Sequence, residues 1–432
     1  MKITGVARPV ELKKNVSSTL RSRGGVNGPI SHLDLVNRLG GRILFGLRRA
    51  LLSGLARALA HRIALPGADF WNRLAHRAGL ASANSSHYDT NYGELMKRAF
   101  LLAGLLFLLS ACVVFAQSSQ PAYKQVAKYT LGGEGGWDYV TFDPDGKRLF
   151  IAHTNVITVV DAANGNKLGE VPAQGAHGVA LVPEKGRGFS SNGRAGTVTV
   201  FGLKDLKPIQ DIKVGDNPDA IIYDSYAKKV VVMNGRSKDV MVIDPETMQV
   251  TATIPLGGKL EFAAADPGHV YVNVEDTGEI ASIDAKSWKA QNRWKLEGCE
   301  EPSGLALDGK QNRLFSVCGN KKMVVVDSTS GKIVATLDTG GGTDAAAFDP
   351  GLKHAFASNG EGTLTVVKQE SADKYSVLSN VESQRGARTM ALDPKSHRIY
   401  LVTAEFGPPA EGQRRPSIKP GTFQLLVYEP SK

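Results

Sequence analysis

A single period governs most of this chain. The stretch Pro218 to Gly257 reads PDAIIYDSYAKKVVVMNGRSKDVMVIDPETMQVTATIPLG and holds four short apolar runs. These are Ala220–Tyr223, Val230–Met233, Val240–Ile243 and Val250–Ile254, rich in β-branched residues and separated by Asp-Ser, Asn-Gly and Asp-Pro. Runs of this kind bounded by turn residues predict strands joined by tight turns. Four strands in about forty residues make one propeller blade, a unit that cannot bury both faces without neighbours. The chain supplies them. The first turn of each unit falls at Asp143, Val182, Asp224, Asp266, Asp308, Asp349 and Asp393, at intervals of 39, 42, 42, 42, 41 and 44 residues. The third run ends at Asp161, Gly202, Asp244, Asp284, Asp327 and Lys368, at intervals of 41, 42, 40, 43 and 41. Two independent marks with one period predict seven tandem units, and argue against a sandwich with accidental spacing.

The predicted fold is therefore all-β, a seven-bladed β-propeller of four-stranded antiparallel blades over residues 123–432. The last unit has three strands, Thr389–Leu392, Arg398–Val402 and Phe423–Tyr428, and then stops. A spare apolar strand, Tyr123–Gly132, precedes the first unit. Pairing the two closes the ring and removes exposed edges.

Charge bears on the segment before the repeats. The formal net charge is +10, but residues 1–95 hold fourteen Lys/Arg against five Asp/Glu, and Lys97 and Arg98 add two more positive charges. The repeats are near neutral, so global charge gives no argument for nucleic-acid binding there. Met96 begins MKRAFLLAGLLFLLSACVVFAQSS, with a basic start, an apolar core and small residues before Gln117. Residues 96–116 read as a secretory signal, with a mature chain from near Gln117 and 1–95 as a non-native upstream extension or leader. Two rivals stay open. Residues 99–116 can act as a signal anchor, and Leu109-Ser110-Ala111-Cys112 resembles a lipoprotein box that places a lipid on Cys112. Export to the periplasm or beyond is the favoured reading. There Cys299, in the loop entering the fifth unit, and Cys318, at the end of its second strand, are expected to form a disulfide. No metal- or haem-type cysteine spacing occurs.

Candidate chemistry sits where the first strands begin. Five residues before each aligned turn stand Asp138, His177, Asp219, Glu261, Ser303, Asp344 and Arg388. In a propeller these seven polar positions ring the top mouth of the central channel. Asp138, Asp219, Glu261 and Asp344 are suitable oxygen ligands for Ca²⁺ or Mg²⁺, His177 can add a nitrogen or act as a base, and Arg388 can hold an anion. Trp137 and Phe262 are placed near the channel. The competing explanation is that strand starts at a wet channel are polar because water is there. A long insertion, Ala404–Gly421, falls on the same face and suits a lid, a partner loop or a solvated loop. Arg194, Arg236, Lys238, Lys321 and Lys322 occupy equivalent top turns.

The units resemble the YVTN-repeat seven-bladed propeller family, the exported YncE-like proteins. The likeness rests on second-strand segments Val231-Val232-Met233-Asn234, Tyr271-Val272-Asn273 and Phe356-Ala357-Ser358-Asn359. Third-strand segments Val240-Met241-Val242-Ile243-Asp244 and Met323-Val324-Val325-Val326-Asp327 add to it. The second unit departs from the pattern at Val182 and Gly202. The resemblance implies a scaffold that hosts binding proteins, lactonases and electron-transfer enzymes, so it licenses no reaction. The leading expectation is a monomeric binding protein that recognises a small molecule, peptide or glycan at the mouth. The alternatives are a cation-dependent lactonase, hydrolase or lyase at the same site, and a single-stranded nucleic-acid binder using the top-turn cations. No nucleophile elbow or metalloprotease motif supports catalysis. Quinone-cofactor chemistry is disfavoured, since adjacent cysteines and a blade tryptophan repeat are absent.

Overall fold

The computed structural model describes residues 122–409 and 416–431. The expected leader, the signal or anchor and Cys112 lie outside the described residues, as does the tip of the late insertion. Seven four-stranded antiparallel sheets follow one another in chain order. Blade 1 runs from Trp137–Asp143 through Arg148–His153 and Val156–Asp161 to Lys167–Pro172. Blades 2 to 6 repeat this pattern, with innermost strands Ala176–Val182, Pro218–Asp224, Leu260–Ala265, Pro302–Asp308 and Thr343–Asp349.

Burial explains the composition of each strand. The second and third strands are sandwiched between neighbouring blades, so both of their faces are covered. Arg148–His153 and Val156–Asp161 accordingly read as continuous apolar runs, buried along nearly their whole length. The outermost strand, Lys167–Pro172, touches water and is mostly exposed, with only Val171 fully buried. The apolar side chains gather into seven clusters, one at each junction between blades. Phe150 of blade 1 against Phe201 of blade 2, with ring centroids 5.9 Å apart, is one such contact. Each fully buried side chain of this size contributes about 1.5–3 kcal/mol, so the ring is held by its junctions rather than by a common centre.

The aspartates that set the period are turn caps. Asp143 Oδ1 accepts from the amides of Asp145 and Gly146, and Asp224, Asp308 and Asp349 do the same two and three residues on. The turn then closes through a left-handed residue, Lys147, Lys228, Asn312 or Lys353. Blade 2 has Val182 at this place. It turns instead through a short 3₁₀ segment, Pro183–Lys185, stopped by Gly186 at φ 60°.

Blade 7 is assembled from both ends of the repeat region. Its sheet holds Met390–Asp393, Arg398–Thr403, Gln424–Pro430 and, outermost, Tyr123–Thr130. The last two pair antiparallel from Tyr123 opposite Pro430 to Thr130 opposite Gln424. Tyr123 is fully buried and meets Phe356 of blade 6 edge-on at 5.2 Å. The closing strand expected from the sequence is therefore formed. The described part of the insertion folds into a short ribbon, Phe406–Pro409 against Pro416–Ile418. Cys299 and Cys318 are bonded, with Cα atoms 5.3 Å apart, and pin the loop entering blade 5 to that blade's second strand.

Candidate functional site

The top mouth of the channel is built by one repeated register. In blades 1 to 6 the innermost strand begins with a buried residue: Trp137, Ala176, Pro218, Leu260, Pro302 or Thr343. The second residue is the ring residue: Asp138, His177, Asp219, Glu261, Ser303 or Asp344. Pairing with the second strand is irregular just there in all six blades. Such bulges re-aim a side chain. Arg388 occupies the seventh place, two residues before its strand.

This register corrects the placement of Trp137. As a first-position residue it faces away from the mouth, into the junction of blades 1 and 7. There it packs on Phe423 at 5.5 Å and Phe406 at 6.2 Å. Only its carbonyl reaches the site, accepting from Arg388 Nη2 at 3.2 Å.

The ring backbone is fixed by buried polar residues of the second strands, which sequence reasoning did not assign a role. Ser191 Oγ donates to the carbonyl of Asp219 at 2.5 Å, Asn273 Nδ2 to that of Ser303 at 2.9 Å, and Ser358 Oγ to that of Arg388. All three are the fifth residue of their blade's second strand, and all are fully buried. A polar residue inside an apolar run was the available signal. Buried polar groups must be hydrogen-bonded, and these meet that need by holding the next blade's ring residue.

Side-chain pairing divides the mouth into three groups. Arg388 is ion-paired with Asp344 and lies 3.8 Å from Asp138 Oδ1. Lys259 Nζ bonds Glu261 Oε1 at 2.9 Å and also pairs with Glu275. His177 Nδ1 sits 2.6 Å from Asp138 Oδ2 and 3.6 Å from Asp219 Oδ1. Ser303 Oγ donates to the carbonyl of Thr343 at 3.2 Å. The four carboxylates expected to hold one cation therefore do not converge. Glu261 and Asp344 have turned to their own cations. Among the described residues, Asp138, His177 and Asp219 alone bring three ligand atoms within 4.8 Å of one another.

Burial and charge tune these groups. Burial, with Asp138 nearby, raises Asp219 to about 6 despite the opposing pull of His177. Burial, the charge of Asp219 and the neighbouring Glu275 carboxyl raise Glu261 to about 8 against the pull of Lys259. Burial alone lowers the His177 pKa, but the hydrogen bond that Nδ1–H donates to Asp138 and the charges of Asp219 and Asp138 outweigh it and hold the imidazole above its usual range. Lys259 and Glu275 come from top loops outside the aligned ring, and no periodic mark pointed to them.

The mouth encloses a cavity of about 540 Å³. Its floor includes Tyr139, which is 7% exposed and touches Phe262 at 5.1 Å between ring centroids. Below them the channel continues as an apolar chamber of about 450 Å³, lined by residues such as Val179, Ile221, Ala346 and Leu392. Tyr139 borders both spaces.

No family model matches the chain. Over 207 residues it is 24% identical to the uncharacterized protein YncE of Salmonella typhimurium and equally to that of Salmonella typhi. The match covers 46% of this chain and 55% of each relative, so it spans about half the length of the curated relatives. A solved chain of Kuenenia stuttgartiensis hydrazine synthase superposes with a TM-score of 0.53 at 20% identity, covering 66% of this chain and 95% of that one. At that identity the likeness is one of fold. With seven closed blades and this sequence likeness together, the chain is a seven-bladed β-propeller similar to the YncE proteins over part of its length.

Proposed function

We propose that the protein is an exported binding propeller that takes a small, positively charged polar ligand at the top mouth of its channel. One observation carries this reading. Asp219 lines the cavity with no hydrogen-bond donor on its carboxylate among the described residues, its nearest cation being His177 at 3.6 Å. The other acids within the mouth are matched, Asp138 by His177, Asp344 by Arg388, and the Glu261–Glu275 pair by Lys259, while Glu301 at the rim is exposed to water. A mostly buried carboxylate that accepts no hydrogen bond is costly, and a ligand's ammonium or other donor group would reduce that cost. The cavity volume suits a small molecule. Export is supported by the signal-like residues 96–116 and by the disulfide, which persists in oxidising compartments.

The top-turn cations favour a small ligand over a nucleic-acid strand. Lys238 pairs with Asp276, Lys321 with Glu361 and Lys322 with Asp338, leaving a mixed rim. A second reading, a cation-dependent lactonase-type hydrolase, draws on the His177–Asp138 pair, which has the geometry of a base oriented by an acid.

A thermal-shift screen of small amines, amino acids and amino sugars tests the proposal. A ligand at a hundred times its Kd stabilises by about 2.7 kcal/mol. Compounds that raise the melting temperature of the parent protein should lose that effect in Asp219→Ala. Equal shifts in the two proteins would place the ligand elsewhere.

A further inference from the structure

We propose that Asp138, His177 and Asp219 form a three-ligand site for a divalent first-row transition cation, with the Tyr139 hydroxyl beside its open side. The inference rests on the reading of the mouth as the binding site and names an occupant for it. Four observations support it. The three ligand atoms lie within 4.8 Å of one another on the innermost strands of three consecutive blades. Small side-chain rotations bring them to the roughly 3.4 Å separations that tetrahedral metal bonds of about 2.0–2.2 Å require.

The imidazole is held with Nδ1 toward the carboxylates. Its far edge lies against Gly193, where an added Cβ would come within 2.5 Å of Nε2. A glycine there makes room for this orientation, and His177 needs no other rotamer to offer Nδ1.

Independently of the cluster, Tyr139 points to an occupant. It is more than nine-tenths buried and borders the mouth, yet its hydroxyl makes no hydrogen bond among the described residues. The ring is buried while its hydroxyl opens on the charged cavity with no protein partner, which leaves it free to meet a ligand atom or a metal-bound water.

Donor chemistry selects the metal. One imidazole nitrogen with two carboxylates suits Mn²⁺ through Zn²⁺, whereas Ca²⁺ takes six to eight oxygens and Mg²⁺ prefers oxygen alone. Three protein ligands leave positions open for water or for the ligand of the mouth. Glu261 and Asp344, engaged by Lys259 and Arg388, are outside the set.

The test uses untagged protein from the envelope fraction, stripped with chelator. It is titrated with Zn²⁺, Mn²⁺ and Ca²⁺ by calorimetry, and with Co²⁺ by visible absorption. One Zn²⁺ or Co²⁺ should bind per chain, at least tenfold more tightly than Ca²⁺. His177→Gln and Asp219→Asn should each weaken binding tenfold or more, and Asp219→Asn should shift the Co²⁺ spectrum. Melting curves of the metal-free variants that match the parent show that the fold is kept. No binding by the parent, or unchanged affinity and spectrum in both folded variants, would overturn the site. If metal fails to bind while an amine ligand still depends on Asp219, the metal falls and the binding reading stands. If metal binds but no organic ligand does, the reverse holds.

Discussion

Breaking the Cys299–Cys318 bond should loosen the fifth blade by a calculable amount. The two cysteines are 19 residues apart, and the loop between them contains that blade's innermost strand, Pro302–Asp308. In the chain-entropy treatment, freeing a loop of this length costs about 3 kcal/mol, on the order of a hundredfold in the folding equilibrium. Both sulfurs lie inside the junction of blades 4 and 5, so reductant will not reach them in the native protein. The protein is therefore reduced in urea and refolded with reductant present. With a urea dependence of about 3 kcal/mol per molar, the midpoint should fall by about 1 M. Reduced wild type is the cleaner comparison, because Cys299→Ala with Cys318→Ala also removes buried volume and adds a packing loss. The bond matters for the site as well, since it anchors the loop that brings Glu301 to the mouth. An unchanged midpoint, with both sulfurs titrating as free thiols, would refute the reasoning.

Acid should act through His153. Burial lowers its pKa, since it lies 6% exposed and stacked on Phe423 at 4.2 Å. The unfolded chain then takes up the proton more readily, so stability is full above about pH 6.5 and is lost as pH falls below it. The parent should lose stability between pH 6.5 and 5 more steeply than His153→Gln, and parallel curves would count against it. Ring closure is tested by Tyr123→Ala. Removing this fully buried ring from its contact with Phe356 should cost about 3 kcal/mol or more in urea denaturation; a loss under about 0.5 kcal/mol, the range of surface substitutions, would mean that the N-terminal strand does not hold the ring.

The blade count and the closing strand were legible because their marks have local physical causes. Asp143 and its equivalents recur because a carboxylate caps the same turn in each unit, and the apolar runs recur because every second and third strand is buried on both sides. The ring positions were legible for the same reason, since a fixed offset from a fixed turn gives a fixed register. What the offset does not carry is partnership. Arg388 choosing Asp344, and Lys259 choosing Glu261 and Glu275, depend on side-chain reach across blades and on loops outside the period. Trp137 was misplaced by one residue of alternation, which in a strand moves a side chain from the mouth into the core. Tyr139 escaped notice because an aromatic in an inner strand looks like core. Its distinction, a buried ring whose hydroxyl opens on the acids of the mouth, exists only in three dimensions.

A crystal structure of the untagged protein, purified from its own cells without chelator or added ligand, tests the central claim most directly. The account predicts electron density for a bound species in the top mouth, within bonding distance of Asp219 and Asp138. An occupant in the apolar lower chamber or on an outer face, with only ordered solvent beside Asp219, would contradict it.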